Sequence, residues 1–457
     1  MKKLRVAIIG GGIGGLSAAV ALHQMGAEVR VYEQARQLAE VGAGVGLHRN
    51  SQRVLDRLGL GDEVSRRGAR LSEFHLLTQD GTVVSHEKYG AGAGQLGLHR
   101  ADLVEVLAGA LPTEVVHTGH RCVQFTQRGG SARVSFDNGA AVSADVVVAA
   151  DGIHSRLQGY VVEPTDPVFS GVVAYRGLIP TERLPEWPKG LVTWGGDGKH
   201  LIAYPVRAGE LINYVGFVPA DEQMRESWSA PGDPTILADA FADWTPQVRR
   251  LLSRVETTLK WGLYDREPLP RWTAGRLTLL GDAAHPMLPH MGQGANQAIE
   301  DALALAILLR GVPAADAPAA LTRYQMLRRD HTARVQRSAR VNGLRFDAAK
   351  PLSLNQSWVR DYDVEKEVLA ASRTGSFQRM PTTRLSGEGP GAGLTRPVPV
   401  ISGRSNADSS PGAAAKTAGI AFTIRAAPPM RAPRSWSWCS ASSSSHRMLG
   451  DPSISTR

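Results

Sequence analysis

The chain opens on a short apolar run, residues 4–9, followed at once by glycine. An unbroken run of Val, Ala and Ile of that length predicts a strand buried on both faces. Residues 10–15 break the pattern with five glycines, and residues 16–25, rich in Ala and Leu, predict a helix. Residues 28–33 alternate, with Val29 and Val31 on one side, and predict a second strand. Strand, glycine loop, helix and strand within about thirty residues open a doubly wound α/β fold. Residues 51–60 predict a helix, and residues 145–149 and 276–280 predict further buried strands. Runs at 168–178, 191–204 and 211–218 are β-rich and carry aromatics, with turns between them. They predict an antiparallel sheet inserted between parts of the first domain. Residues 293–309 and 319–345 predict long helices, the second highly charged and expected at the surface. The expected organisation is a nucleotide-binding domain from 1–75, 98–165 and 271–371, the last segment bringing the C-terminal helices. A substrate domain comes from 76–97 and 166–270.

Length and charge change this picture mainly at the C-terminus. At roughly 100–200 residues per domain, 457 residues suggest two to three domains. No apolar run reaches 18 residues, so no transmembrane helix is expected. Residues 6–22 hold too many glycines, too close to Met1, for a signal peptide. Two cysteines, Cys122 and Cys439, make neither a disulfide framework nor a zinc site. The expectation is a reduced, cytoplasmic, soluble chain without a membrane partner. The net charge is +9, but from residue 372 onward eleven Lys and Arg face three Asp and Glu. The excess positive charge therefore belongs to residues 372–457, not to a basic face on a folded domain, and no nucleic-acid partner is expected. Ser, Arg, Pro, Gly and Ala dominate that segment, which ends near a run of four serines at 442–445. Such composition predicts disorder or an out-of-frame extension. Its deletion should leave cofactor binding and turnover intact, and loss of folding on deletion would refute this.

Three motifs carry the chemistry. Gly10, Gly12 and Gly15 satisfy G-x-G-x-x-G between a strand and a helix. The first glycine allows a tight turn, the second lets the backbone approach a pyrophosphate, and the third lets helix and strand pack closely. Glu33, about twenty residues on, ends the second strand where an acid accepts ribose hydroxyls. Asp151-Gly152 and Gly281-Asp282 each follow a buried strand, at the end where ligands sit in such sheets. Gly292-Gln293-Gly294-Ala295-Asn296 then opens a helix whose first N–H groups face outward.

With G-x-G-x-x-G, Asp151-Gly152 and Gly281-Asp282 in this order, residues 4–371 resemble the single-component FAD-dependent aromatic hydroxylases. Within that family the chain is similar to the salicylate hydroxylase group, which includes 3-hydroxybenzoate 6-hydroxylase and 6-hydroxynicotinate 3-monooxygenase. Supporting segments are Val41-Gly42-Ala43-Gly44-Val45, Leu98-His99-Arg100, Tyr175-Arg176-Gly177, Trp261-Gly262-Leu263-Tyr264-Asp265-Arg266 and Tyr362-Asp363-Val364-Glu365-Lys366. The resemblance implies FAD as cofactor, NADH or NADPH as transient co-substrate, with a lean to NADH, and O2. It implies that Gly10, Gly12 and Gly15 line the pyrophosphate and Glu33 holds the adenosine ribose. It places Val45 near FAD, Arg100 at the ribityl or pyrophosphate region, Asp151 and Asp282 on FAD, and Gly292, Gly294, Ala295 and Asn296 at the isoalloxazine. A helix N-terminus there would stabilise the anionic reduced flavin by about 0.3–2 kcal/mol. In the family, reduced flavin captures O2 as a C4a-hydroperoxide, which oxygenates an electron-rich ring.

An activated phenol needs a proton acceptor. His200 and Tyr204, four apart on one expected strand, share a face, and related hydroxylases carry H-x-x-x-Y here. His200 is read as base or phenol partner and Tyr204 as orienter. His290, just before the flavin-contacting turn, is a third candidate. His48 is offset by two residues from a histidine of some relatives and receives no role. His285 precedes Pro286 and is read as structural. Pro289 stands where the 3-hydroxybenzoate 6-hydroxylase pattern has Gln, which counts against that substrate. No H-E-x-x-H and no paired cysteines point to a metal, and no G-x-S-x-G follows a strand. The expected reaction is hydroxylation of a small phenolic acid. A salicylate-like acid comes first, oxidatively decarboxylated to a catechol, with a hydroxynicotinate or hydroxybenzoate close behind. The reading from a different class is a flavin oxidase or regulatory protein without hydroxylase activity. A homodimer is left open.

Overall fold

The first strand, Arg5–Ile9, lies inside a six-stranded sheet because both its faces are apolar. The computed structural model describes residues 2–38, 43–90, 94–220, 230–352 and 355–373. Residues 372–457, apart from Ser372 and Arg373, lie outside them, as do Val41 and Gly42 of one supporting segment. In this sheet Leu277–Leu279, Val146–Ala149, Arg5–Ile9, Glu28–Tyr32 and Val116–His117 run parallel, and Thr273–Ala274 adds an antiparallel edge. A three-stranded antiparallel sheet, Cys122–Arg128, Ser131–Phe136 and Ala141–Ala144, forms the crossover back to Val146–Ala149. Helix Ile13–Gln24 approaches helix Gly294–Leu309 closely at Gly14. A Cβ there would lie 2.9 Å from Leu280 and 3.1 Å from Ala298.

The second large sheet has eight strands. In order they are Ala230–Gly232, Thr258–Asp265, Val168–Pro180, Leu211–Pro219, Lys199–Val206, Leu191–Gly196, Glu73–Thr78 and Val83–Lys88. All neighbours are antiparallel except Leu191–Gly196 with Glu73–Thr78. The strand Glu73–Thr78 straddles the domain boundary expected at residue 75. One face packs Trp194, Leu201, Ala203 and Tyr214 against helices Pro234–Ala240 and Pro246–Leu252. The strand period of two then turns His200, Ile202 and Tyr204 to the other face. Both sheets belong to one compact unit.

Three expectations are corrected. The run 191–204 is two strands, because Gly196, Asp197 and Gly198 adopt positive φ and make a hairpin turn. The helix expected over 51–60 is Arg49–Arg57, with a second helix, Gly61–Arg67, beyond a left-handed Gly59. The charged helix, Ala317–Asp347, exposes one side as expected but does not keep all its charges there. It buries Arg328 completely, paired to Glu300 and Asp301 at 2.8 Å each. Reading charge as exposure failed there because both counter-charges come from another helix.

Candidate active site

The three motif glycines of the loop have different surroundings. Gly10 has φ +109°, and a Cβ on it would lie 2.2 Å from the Ala150 carbonyl oxygen. A Cβ on Gly15 would lie 2.0 Å from the Gly10 carbonyl oxygen, whereas one on Gly12 would meet nothing within 4 Å. Open space at Gly12, at the N-terminus of helix Ile13–Gln24, is room for a phosphate against free N–H groups. Glu33 accepts from the N–H of Gly11 and of Ala35, both at 2.7 Å. A carboxylate has about four lone-pair sites, so capacity for ribose hydroxyls remains. Asp151 accepts from the Arg156 N–H at 3.0 Å, while its Oδ1 is buried without a partner and burial pushes its pKa up. An orphaned carboxylate oxygen at a strand end is what a hydroxylated ligand would satisfy.

A cavity of about 250 Å³ lies between the second sheet and the N-terminus of helix Gly294–Leu309. Ile202, Tyr204, Val215, Phe217 and Trp261 form the sheet side. His290, Gly292, Gln293, Gly294 and Ala295 form the facing turn, and Val45, Arg100 and Asp282 also line the space. Gly292, at φ +62°, ends the short turn Pro289–Met291 in the left-handed region. The helix after it has no side-chain cap, so its first N–H groups are left for a ligand.

Asn296 does not reach this cavity. Its side chain is fully buried, accepting from the His48 N–H at 2.8 Å and the Ser51 hydroxyl at 2.5 Å. It donates to the carbonyls of Gly46, at 2.9 Å, and Gly292, at 2.6 Å. It is a latch joining the turn to strand Gly44–Leu47, so its expected contact with the flavin is not made by its side chain.

The three candidate catalytic residues are arranged in depth. Tyr204 and His290 line the cavity, and His200 does not. His200 is fully buried behind His290, with Phe217 stacked on its ring at 4.1 Å. Its Nδ1 lies 2.6 Å from Asp347 Oδ1, and its Nε2 lies 3.2 Å from His290 Nδ1. The expectation that His200 itself faces the substrate is therefore revised. Four-residue spacing put it on the correct face, but Phe217 and His290, from other segments, cover it. His290 packs on helix Ala317–Asp347, where a Cβ on Gly343 would lie 2.6 Å from its ring. Burial, then the adjacent His200, hold the His290 pKa well below 6.5. Burial pushes the Tyr204 phenol up.

His285 is structural, as expected. It is buried, with Nε2 2.5 Å from Asp301 Oδ2, inside the Arg328 network. Sequence reasoning gave His48 no role and did not mark Gln95, Gln356 or Arg360, yet all four line the cavity. His48 is buried with Nδ1 unpartnered and its pKa held well below 6.5, by burial and then by Arg360. Gln95, Gln356 and Arg360 sit in no glycine motif, so nothing local marked them. The search for metal motifs also missed Glu73, His75 and His86, whose ligand atoms lie within 4.8 Å of one another on an edge hairpin. Both imidazoles there share Glu73 Oε2 as hydrogen-bond partner.

Comparison with known proteins agrees with this geometry. A family model described as a FAD binding domain matches residues 3–339. The chain belongs to the FAD-dependent aromatic hydroxylases. This hydroxylase is 41% identical over 352 residues to 3-amino-4-hydroxybenzoate 2-monooxygenase PtnB3 of Streptomyces platensis, covering 75% of this chain and 88% of the relative. It is 34% identical to 6-hydroxynicotinate 3-monooxygenase of Bordetella bronchiseptica, covering 81% and 98%. A solved salicylate hydroxylase substrate complex superposes with TM-score 0.72 and 30% identity, covering 81% of this chain and 98% of that one. The hydroxylase is thus a flavoprotein monooxygenase that takes a small aromatic substrate and O2. NADH or NADPH is the reductant typical of such enzymes. The residues present fit FAD, given the open space at Gly12, the orphaned Asp151 oxygen and the uncapped helix at Gly294. Among the described residues no helix is long and apolar enough to cross a membrane.

Proposed function

We propose that this hydroxylase acts on a small phenolic aromatic acid, with His290 accepting the phenol proton and Tyr204 orienting the ring. The observation that carries the reading is a histidine held neutral by burial, lining the cavity beside the glycine turn. Gly10, Gly12, Gly15 and Glu33 hold the adenosine and pyrophosphate end of FAD, with Asp151 nearby. Arg100 and Asp282 hold its middle, and Val45, Gly292, Gly294 and Ala295 flank its ring. Bound FAD supplies the oxygen-activating redox chemistry.

The protein's own residues prepare the substrate. If Asp347 accepts the His200 Nδ1–H, His200 Nε2 is left to accept the His290 Nδ1–H. His290 then presents a bare Nε2, the form that removes a proton. Its depressed pKa keeps this form populated at neutral pH. Ile202, Val215, Phe217 and Trp261 exclude water from the ring.

A salicylate-like acid remains the first substrate reading. 3-Amino-4-hydroxybenzoate joins it because a 41% identical relative carries that activity in its name, and a hydroxynicotinate follows. The test is NADH and NADPH oxidation by the purified yellow protein with these acids, measuring product and peroxide together. Stimulation by one acid with little peroxide is expected. Stoichiometric peroxide with every acid would favour the oxidase reading and sink the hydroxylase assignment.

A further inference from the structure

Arg360 ends the short helix Ser357–Arg360 and lines the cavity. Its hydrogen bonds are weak and neutral: NH1 donates to the Tyr89 hydroxyl at 3.3 Å, and NH2 reaches Gln356 Oε1 only at 3.5 Å. Among the described residues its Nε is buried with no hydrogen-bond partner. Among the described residues no carboxylate pairs with it, whereas three other guanidiniums each have one. Arg328 has Glu300 and Asp301, Arg207 has Asp102, and Arg340 has Asp265. A half-buried cation without a counter-ion is costly in a low-dielectric site. Arg100 and Arg176 also line the cavity, but each already has a partner within the protein, and Arg176 lies over the Trp261 ring at 5.1 Å.

We infer that Arg360 is the carboxylate-recognising residue of the substrate site, its guanidinium pairing with the acid group of the aromatic ring. The inference rests on the aromatic-acid reading above and deepens it. Tyr89 and Gln356 hold the guanidinium in place, and an incoming carboxylate satisfies the orphaned Nε and supplies the missing negative charge. The Arg360 charge also helps keep His48 neutral, so its field reaches the part of the cavity beside Gly292. With the acid group fixed at Arg360 and the phenol at His290, the ring is oriented by two different groups. Which ring carbon faces the flavin follows from the spacing of the two substituents.

The experiment is binding to the FAD-loaded full chain, followed by perturbation of the flavin spectrum. The probes are salicylate, 3-amino-4-hydroxybenzoate and the carboxamide of each. The wild type should prefer acid to amide. Arg360→Gln should weaken acid binding about 10- to 100-fold, as for loss of a charged hydrogen bond, with amide affinity and flavin content unchanged. Arg360→Lys should restore part of the acid affinity, since it keeps the charge without the fork. Unchanged acid affinity in Arg360→Gln, or equal weakening of acid and amide, would overturn the assignment. A flavin-loaded wild type that binds none of the four compounds would overturn the aromatic-acid reading itself, a result distinct from either.

Discussion

A methyl group added at Gly12 and one added at Gly15 should fail in opposite ways. At Gly15 the Cβ meets the Gly10 carbonyl at 2.0 Å, so Gly15→Ala should destabilise the apoprotein. At Gly12 it meets nothing, so Gly12→Ala should leave apoprotein melting nearly unchanged and weaken FAD binding. Melting curves and FAD titration of both variants separate fold from cofactor. His290 gives a second test at this scale. His290→Asn should leave FAD bound but lower coupled hydroxylation by about 10²–10⁴-fold, the usual worth of a positioned acid–base group. An unchanged product yield would remove it from the mechanism. Because burial holds His48 and His290 below 6.5, the unfolded chain binds protons that the folded chain refuses. Stability contributed by these groups is therefore present above pH 6.5 and is lost as the pH falls below it. His290→Asn should make the decline in melting temperature between pH 7.5 and 5.5 shallower.

At the scale of elements, a long helix and a turn share one histidine. Helix Ala317–Asp347 carries Gly343 in its interior, where Ala would favour the helix by about 1 kcal/mol. The glycine is there because the His290 ring occupies the space its Cβ would fill. The Asn342 side chain, one residue earlier, donates to the His290 carbonyl at 2.7 Å. Gly343→Ala should push the ring toward the cavity. The expected result is more peroxide per NAD(P)H oxidised and less product, with FAD content unchanged. Normal coupling would show that the His290 position is not critical. The same helix ends on Asp347, so one element both supports His290 and supplies the acid behind His200.

Across the molecule, the buried charges tie the catalytic helix to its neighbours. Arg328 bridges Glu300 and Asp301, and His285 joins through Asp301. Burial opposes ionisation of Asp301, but His285 and Arg328 outweigh it and hold the group at about 2. Burial dominates at Glu300 and raises it to about 7 despite Arg328 and Asn50. Arg328→Met would strand Asp301 without its cation and should cost about 3–5 kcal/mol, read as a lower midpoint in denaturant. Because helix Gly294–Leu309 presents its N-terminus to the cavity, FAD should be released early in that unfolding. Simultaneous loss of flavin and fold only at the wild-type midpoint would refute the coupling.

The sequence by itself determined the strand–loop–helix core and the family, because Gly10, Gly12 and Gly15 act through local backbone geometry that residue identity dictates. It also placed His200 and Tyr204 on one face, since strand periodicity is local. Only the tertiary structure decided which of these residues lines the cavity. Phe217 and His290 cover His200, Asn296 is taken up by Gly46 and His48, and Arg360 arrives from a segment with no motif. Covering, latching and leaving a charge unpaired are relations between distant segments, formed when the chain packs. No window of sequence contains both partners, so that part of the site became visible only in the fold.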